Sequence, residues 1–353
     1  MRPLLFFLPL AVSTLIAKEP LPRPKNDYQP PQQEESFVVV DTSGPWLTGP
    51  LLSPSANTLA KGHINVEPYL YNNNNIGLYD NNWHRHSVSP SYHSINVLVF
   101  FQVGLSSRVD MSIFPQGLYN WVGEEVESFR FGDLGMSLGW QLIPEKPHSP
   151  GLKFSLIEIF PTGNYQFLDP DKLGTDSSGG GSFATSFRLT VSKLFRLEEG
   201  HFLASRFAVW STVFTPVSVH GLNTYGGNAK TDGTLYPGTT FAGIAGLEYT
   251  ITKHWAVALD VLATYSKKTV FHNHAKKAAP TSGPTLEISD DVFLSDLLTP
   301  VGNNKTSFSL SLAPAIEYNF SKMYGLLLGV WFSALGKNSV SFVNGVAALN
   351  IYI

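Results

Sequence analysis

Apolar and polar residues alternate with a period of two through most of the chain, most plainly between Thr306 and Ile353. From Ser307 to Phe320 the apolar set is Phe308, Leu310, Leu312, Pro314, Ile316, Tyr318 and Phe320, with Ser307, Ser309, Ser311, Ala313, Ala315, Glu317 and Asn319 between them. Period two marks a strand whose two faces meet different surroundings. Two further runs, Tyr324 to Leu335 and Ser339 to Ile353, follow after only Ser321-Lys322-Met323 and Gly336-Lys337-Asn338. Each run holds roughly ten residues or more, against a usual strand of about five or six. A tilted strand needs about 9 to 11 residues to cross a bilayer. The pattern therefore predicts an all-β fold, a transmembrane antiparallel up-and-down β-barrel.

Upstream, the same alternation marks further strands. Ile64, Val66, Pro68 and Leu70 share one face of the first, Ile95, Val97, Val99, Phe101 and Val103 of the second, and Val109, Met111 and Ile113 of the third. The fourth follows in Leu134 to Leu142, the fifth in Gly151 to Phe160, the sixth in Phe183 to Val191, the seventh in Phe202 to Val219, the eighth in Thr240 to Ile251 and the ninth in Trp255 to Thr269. With the last three the count reaches about twelve, an even number as in single-chain bacterial barrels. In the fifth, Glu158 shares a face with Leu152, Phe154 and Phe160, which predicts a bulge or a shifted boundary.

Connections alternate in length. Short ones are expected at Ser106-Ser107, Pro144 to Pro150, Leu197 to His201, Thr252 to His254 and Ser321 to Met323. Long, polar ones are expected at Asn72 to Tyr92, Asn120 to Arg130, Pro161 to Ser182, His220 to Thr239 and Val270 to Lys305, with Gly336 to Asn338 a short exception. Short periplasmic turns and long outer loops are the usual asymmetry, which places both ends of the mature chain in the periplasm. Closure of the barrel requires Ser339 to Ile353 to pair with His63 to Tyr71.

Composition narrows the picture. Charged residues are 14% of the chain and aromatics 13%, and mean hydropathy is +0.01. A chain neither greasy nor charged suits a two-faced sheet, and after the first residues no apolar run approaches the ~18 of a helical span. A net charge of −3 offers no basic field for nucleic acid, and the absence of cysteine excludes disulfides and thiolate metal sites.

Residues 1–17 have a charged start, a short apolar core and a small residue before Lys18, and read as a secretory signal peptide. Residues 18–62 form a Pro-rich leader whose second part changes character. Lys18 to Ser36 holds too little apolar surface to fold, whereas Phe37 to Gly62 carries Val38, Trp46, Leu47, Leu51, Leu52 and Leu59 between Gly-Pro breaks. That second part must pack on something, and the periplasmic mouth or lumen of the barrel, residues 63–353, is the nearest surface; a plug and a passive cap are both compatible with it.

The middle of the chain carries a recognisable order. Gly132-Asp133 opens a strand, Pro161-Thr162-Gly163 ends one, and Gly179-Gly180-Gly181 precedes another, with Pro314 and three final strands at the close. In this, Asn96 to Ile353 resembles the outer-membrane barrels of the meta-pathway phenol-degradation family. The resemblance implies a transporter of aromatic or other apolar compounds. Its motifs are backbone-shaping glycines and prolines, which speak for fold more than for ligand.

If the apolar positions face lipid, the opposite parity lines the lumen. It carries Glu67, Asp110, Arg206, Glu248, Asp260 and Glu317 as a charged belt, Asp133 and Arg188 as further polar groups, and Phe100, Phe114 and Trp331 as aromatics. Five of the belt residues fall within about two to five residues of the short turns, or one level at ~3.3 Å per residue. Carboxylates enclosed by a barrel must pair or stay wet, so the belt is either an ion-pair network or a filter for solute. The excess of acids favours cations in an open lumen. Tyr119, Trp121, Trp140, Phe195, Trp255, Phe320 and Tyr324 fall near strand ends, as interfacial girdles do.

Enzyme chemistry finds no constellation: His93-Ser94 has no third member. His84 with His86, and His272 with His274, read as solvated loop histidines, so no metal and no cofactor is expected. The expected partners are outer-membrane lipids, the barrel-assembly machinery and a small-molecule solute, not nucleic acid. The reading is a passive outer-membrane channel for small, apolar or aromatic compounds, and its alternative is a surface binding or adhesion barrel with a closed lumen.

Overall fold

Pairing of the alternating segments returns to its own start. The computed structural model describes residues 45–123, 126–197, 201–274, 292–293 and 301–353. The proposed signal peptide and the first part of the leader lie outside them.

The strands are β1 (Ile64–Tyr79), β2 (Arg85–Ser106), β3 (Val109–Phe114), β4 (Gln116–Val122), β5 (Val126–Phe131), β6 (Leu134–Ile143), β7 (Gly151–Phe160), β8 (Ala184–Arg196) and β9 (Phe202–Phe214). Then come β10 (Val217–His220), β11 (Asp232–Tyr236), β12 (Thr240–Thr250), β13 (Trp255–Ser266), β14 (Val270–Asn273), β15 (Val292–Phe293), β16 (Ser307–Asn319), β17 (Tyr324–Lys337) and β18 (Ser339–Tyr352). Two wall strands are each made of two pieces. Pro115, which has no N–H to give, separates β3 from β4, and Gly132-Asp133 separates β5 from β6. Counting each pair once, the wall is a closed barrel of 12 antiparallel strands. Closure runs through β1 and β18, from Asn65 opposite Tyr352 to Tyr79 opposite Ser339, as the final strands predict.

The barrel is inverted relative to a water-soluble protein. Leu70, Val97, Phe101, Leu138, Phe187, Leu189, Phe207, Leu247, Leu259 and Leu328 are exposed on its outside. Ser112, Ser155, Thr190, Ser192, Glu248, Asp260 and Glu317 are buried within. An apolar outer band with every wall strand paired to two neighbours is the form that spans a bilayer. Among the described residues no helix is long and apolar enough to cross a membrane.

Four expectations are corrected. Asn72 to Tyr92 is mostly strand, because β1 and β2 run on past the apolar band and turn only at residues 80–84. Asn120 to Arg130 is likewise mostly β4 and β5. Beyond the lipid no apolar face is required, so the backbone keeps pairing while alternation fades. The seventh segment leaves the wall at Phe214, and its continuation β10 joins β11 and β14 in a separate three-stranded sheet. Finally, β7 has no bulge: its register with β8 is unbroken from Gly151–Ser192 to Ile159–Ala184. Glu158 does point outward there, and the Thr185 hydroxyl opposite donates to its Oε2 at 2.7 Å. The irregularity lies in β6, between Gln141 and Ile143.

Candidate functional site: the lumen and its two closures

At the end carrying the short turns, residues 45–62 enter the lumen and cross it before β1 begins. Trp46 marks the way in. Its ring meets His254 edge-on at 4.9 Å with the Lys253 ammonium 4.7 Å above it, and its carbonyl accepts from Asn319 Nδ2 at 3.0 Å. The next amides then meet carboxylates of the wall. Thr48 N donates to Glu317 Oε2 at 3.0 Å, Gly49 N to Glu248 Oε1 at 3.1 Å, and Leu52 N to Asp260 Oδ2 at 2.8 Å. These three carboxylates are 0% exposed. Arg206 joins wall and segment, with one nitrogen 3.4 Å from Glu248 Oε2 and another donating to the Ser53 carbonyl at 3.2 Å. Farther across, Gln141 Nε2 donates to the Ala56 carbonyl at 3.2 Å, and Gly62 N donates to the Gly104 carbonyl at 2.8 Å.

Extended chain inside a barrel has no ladder of its own, so its N–H groups need other acceptors. Three carboxylates so close together need donors. Each deficiency supplies the other, and a typical hydrogen bond contributes about 0.5–1.5 kcal/mol net, while leaving a buried partner unpaired costs more. Apolar packing adds to it: Leu51 is buried against Ala313, Leu327, Val346 and Ala348. Two glycines make the fit possible. Gly49 has φ +109°, and a Cβ there would come within 2.7 Å of an Arg206 nitrogen; a Cβ on Gly246 would come within 2.0 Å of Ser53 Oγ. A side chain at Gly49 would therefore be strained by its backbone as well as by its neighbour.

The other predicted lumen residues divide into separate groups. Asp110, only 1% exposed, receives Lys153 Nζ at 2.5 Å and Gln102 Nε2 at 2.9 Å on Oδ2. Glu67 accepts from Asn65, Tyr69 and Asn350 at 2.8, 2.9 and 3.1 Å, and no cation pairs with it among the described residues. The structure thus brings Arg206, Glu248, Asp260 and Glu317 together beneath the entering segment and leaves Asp110 and Glu67 in networks of their own. Arg188 Nε is buried without a hydrogen-bond partner. Phe100 stacks on Phe114 at 5.9 Å, and Trp331 donates from Nε1 to Ser311 at 2.9 Å. Lys153 was not in the predicted set, although its parity, between Leu152 and Phe154, points it inward.

Asp133 serves the opposite end. Standing in the break between β5 and β6, it accepts Gly163 N on Oδ1 at 2.9 Å and Gly180 N on Oδ2 at 2.8 Å, so it grips the connection from β7 to β8. That connection folds inward as a cap. Asn120 Nδ2, on the wall, donates to the Thr175 and Ser177 carbonyls at 2.9 and 3.1 Å, and Leu168 N pairs with the Leu222 carbonyl at 2.9 Å. Tyr225 donates to the Gly180 carbonyl at 2.6 Å. Burial, with the charge of Asp133 and the neighbouring Tyr165 behind it, pushes the Tyr225 phenol up to about 12, so it remains a donor.

Histidines gather on the same rim. His86 Nε2 lies 3.2 Å from Asp80 Oδ2 and His84 Nδ1 3.8 Å from it, while His220 and His274 flank Asp232 at 3.1 and 3.8 Å. Among the described residues no group of three or more ligating side chains is arranged to hold a metal ion. His93 bonds Asn74 at 2.7 Å and stacks on Trp121.

No protein-family model matches the chain, and no curated protein does. Among solved structures, an outer membrane channel from Pseudomonas putida F1 superposes with a TM-score of 0.63 at 11% identity, covering 86% of this chain and all of that one. The β domain of the Bordetella autotransporter BrkA gives a TM-score of 0.41 at 8% identity, covering 83% of this chain and 100% of that one. The TodX monoaromatic hydrocarbon channel gives 0.35 at 8% identity, over 83% and 90%. The first of these likenesses shows the fold, a closed outer-membrane-type β-barrel, and the other two are too low to carry an argument.

Proposed function

We propose that this chain is an outer-membrane channel for passive passage of small, largely apolar compounds, kept shut at its short-turn end by residues 45–62. The observation that carries the proposal is the mode of closure. The wall closes on itself without the entering segment, whose amides are held chiefly by wall side chains and not by strand pairing. A barrel of this kind has a lumen from which something can be removed. Short turns face the periplasm in bacterial barrels, which puts the segment and both chain ends on that side and has the assembly machinery insert the strands from there. The likeness to the Pseudomonas putida channel and the Gly-Asp, Pro-Thr-Gly and triple-Gly order support membership of the meta-pathway phenol-degradation type, and with it a solute of aromatic or similar apolar character. No catalytic role is assigned.

Uptake of a neutral aromatic tracer into liposomes tests the proposal, with full-length protein compared against a variant lacking residues 45–62. Faster uptake by the variant is expected. A second reading, a surface binding barrel, takes support from the closure of the described lumen at both ends; equal, background uptake by both proteins would favour it.

A further inference from the structure

Beneath the cap lies a cavity of about 240 Å³ that the closure of the channel does not use. Leu168 and Leu173 face it from the cap, Leu78, Val88, Tyr92 and Val340 from the wall. The rest of its lining is glycine, amide or hydroxyl, and no charged side chain contributes. Several of these polar groups are already engaged. Asn223 Oδ1 accepts the Tyr225 amide and its Nδ2 donates to the Gly221 carbonyl, both at 3.0 Å. The Ser177 and Thr224 hydroxyls bond each other. They therefore ask little of an occupant, while a charged one would be desolvated without a partner. An apolar cavity of about 150 Å³ is enough for benzene, so this one has room for a single ring with substituents.

The β1–β2 ladder is also interrupted here, where Val88 and Ser89 pair with β15 instead of β1. Asn75 pairs with Tyr92 and the next pair is Gly77 with Ser87, so Val88 to Ser91 bulge out opposite Ile76 alone. Over those residues the β1–β2 ladder is open, and Val88, at the break, lines the cavity.

We propose that this cavity is a binding site for a neutral, largely apolar small molecule about one ring in size, held between the cap and the break in the β1–β2 ladder. It rests on the channel reading for its purpose, as the place where solute pauses at the end opposite the plug, but its chemistry stands on the lining.

The test uses the full-length protein in detergent micelles with fluorobenzene and 4-fluorobenzoate as probes, followed by 19F NMR saturation transfer. Fluorobenzene is expected to bind saturably, and the carboxylate at least tenfold more weakly. Val88→Asp, at the ladder break, and Leu168→Trp, which fills the cavity, are each expected to weaken fluorobenzene at least tenfold, with resistance to unfolding in cold SDS showing that the barrel is intact. Equal signals from the native protein and both folded variants would mean partition into the micelle and overturn the proposal, as would equal binding of the carboxylate. Liposome uptake separates this from the channel reading. Binding without uptake, even after removal of residues 45–62, sinks the channel and leaves the site; uptake without saturable binding sinks the site and leaves the channel.

Discussion

The two ends of the barrel are closed by the same chemical device applied to different kinds of chain. At each end, wall carboxylates accept backbone amides: Glu317, Glu248 and Asp260 hold Thr48, Gly49 and Leu52, and Asp133 holds Gly163 and Gly180. The cap is an excursion between β7 and β8, fixed at both its ends and braced by Asn120 and by the neighbouring connection. The plug comes from before β1, and among the described residues its later end alone is continuous with the wall. A closure continuous with the wall at both ends suits a binding pocket, whereas a segment leading into one strand and held across the lumen by side-chain hydrogen bonds suits a gate.

Removing the gate is expected to have the largest effect. Deletion of residues 45–62 should leave the barrel folded and raise its conductance in planar bilayers at least tenfold, with a mild preference for cations from the freed carboxylates; marked anion selectivity would contradict the lumen assignment. Next comes Lys153→Met, which leaves Asp110 buried with its cation gone. Breaking such a pair costs about 3–5 kcal/mol, readable as a lower midpoint of thermal unfolding, and Asp110→Asn added to it should restore most of the loss.

Gly49→Val should be intermediate. It forces a side chain against Arg206 at a left-handed backbone position, so plug-opening events should become several-fold more frequent while the wall's unfolding midpoint stays unchanged. Asp133→Ala should loosen the cap alone, seen as faster proteolysis between residues 161 and 182 without a rise in conductance. The smallest effect is at Asp80. Desolvation works to raise its carboxyl, but hydrogen bonds from the His84 amide, His86 and the Asn82 amide outweigh it and hold the group below the usual range. A depressed carboxyl contributes its stability above its unfolded-state value and loses it as pH falls through the depressed one. Exchange of amides in the 80–84 turn should therefore quicken only at strongly acidic pH, and Asp80→Asn should abolish that dependence.

How much of this the sequence shows depends on where lipid lies. Within the apolar band, alternation locates the wall strands and their inward parity, because lipid and lumen demand opposite surfaces at neighbouring residues. Above the band that demand ends, so Asn72 to Asn75 read as loop although they are paired on both sides. Lumen parity identified Glu248, Asp260, Glu317 and Arg206. Their partners were not legible, since a backbone amide carries no residue type and lies 199 to 269 positions away for the two glutamates. Lys153 was hidden by Glu158, whose outward placement blurred the parity of β7. The cavity draws on a cap, a ladder break and β18, segments that only the closed barrel brings together.

If residues 45–62 are a gate, the chain's lack of cysteine allows it to be locked directly. A Cβ on Gly325 would stand 3.4 Å from Thr48 Cβ, close to the ~3.5–4.5 Å that a disulfide requires. Planar-bilayer conductance of the Thr48→Cys, Gly325→Cys variant, oxidised and then reduced, set beside the protein lacking residues 45–62, measures the gate itself. A gate gives silence when oxidised, intermittent openings when reduced and sustained current after deletion. Equal current from the locked and the deleted proteins would contradict it.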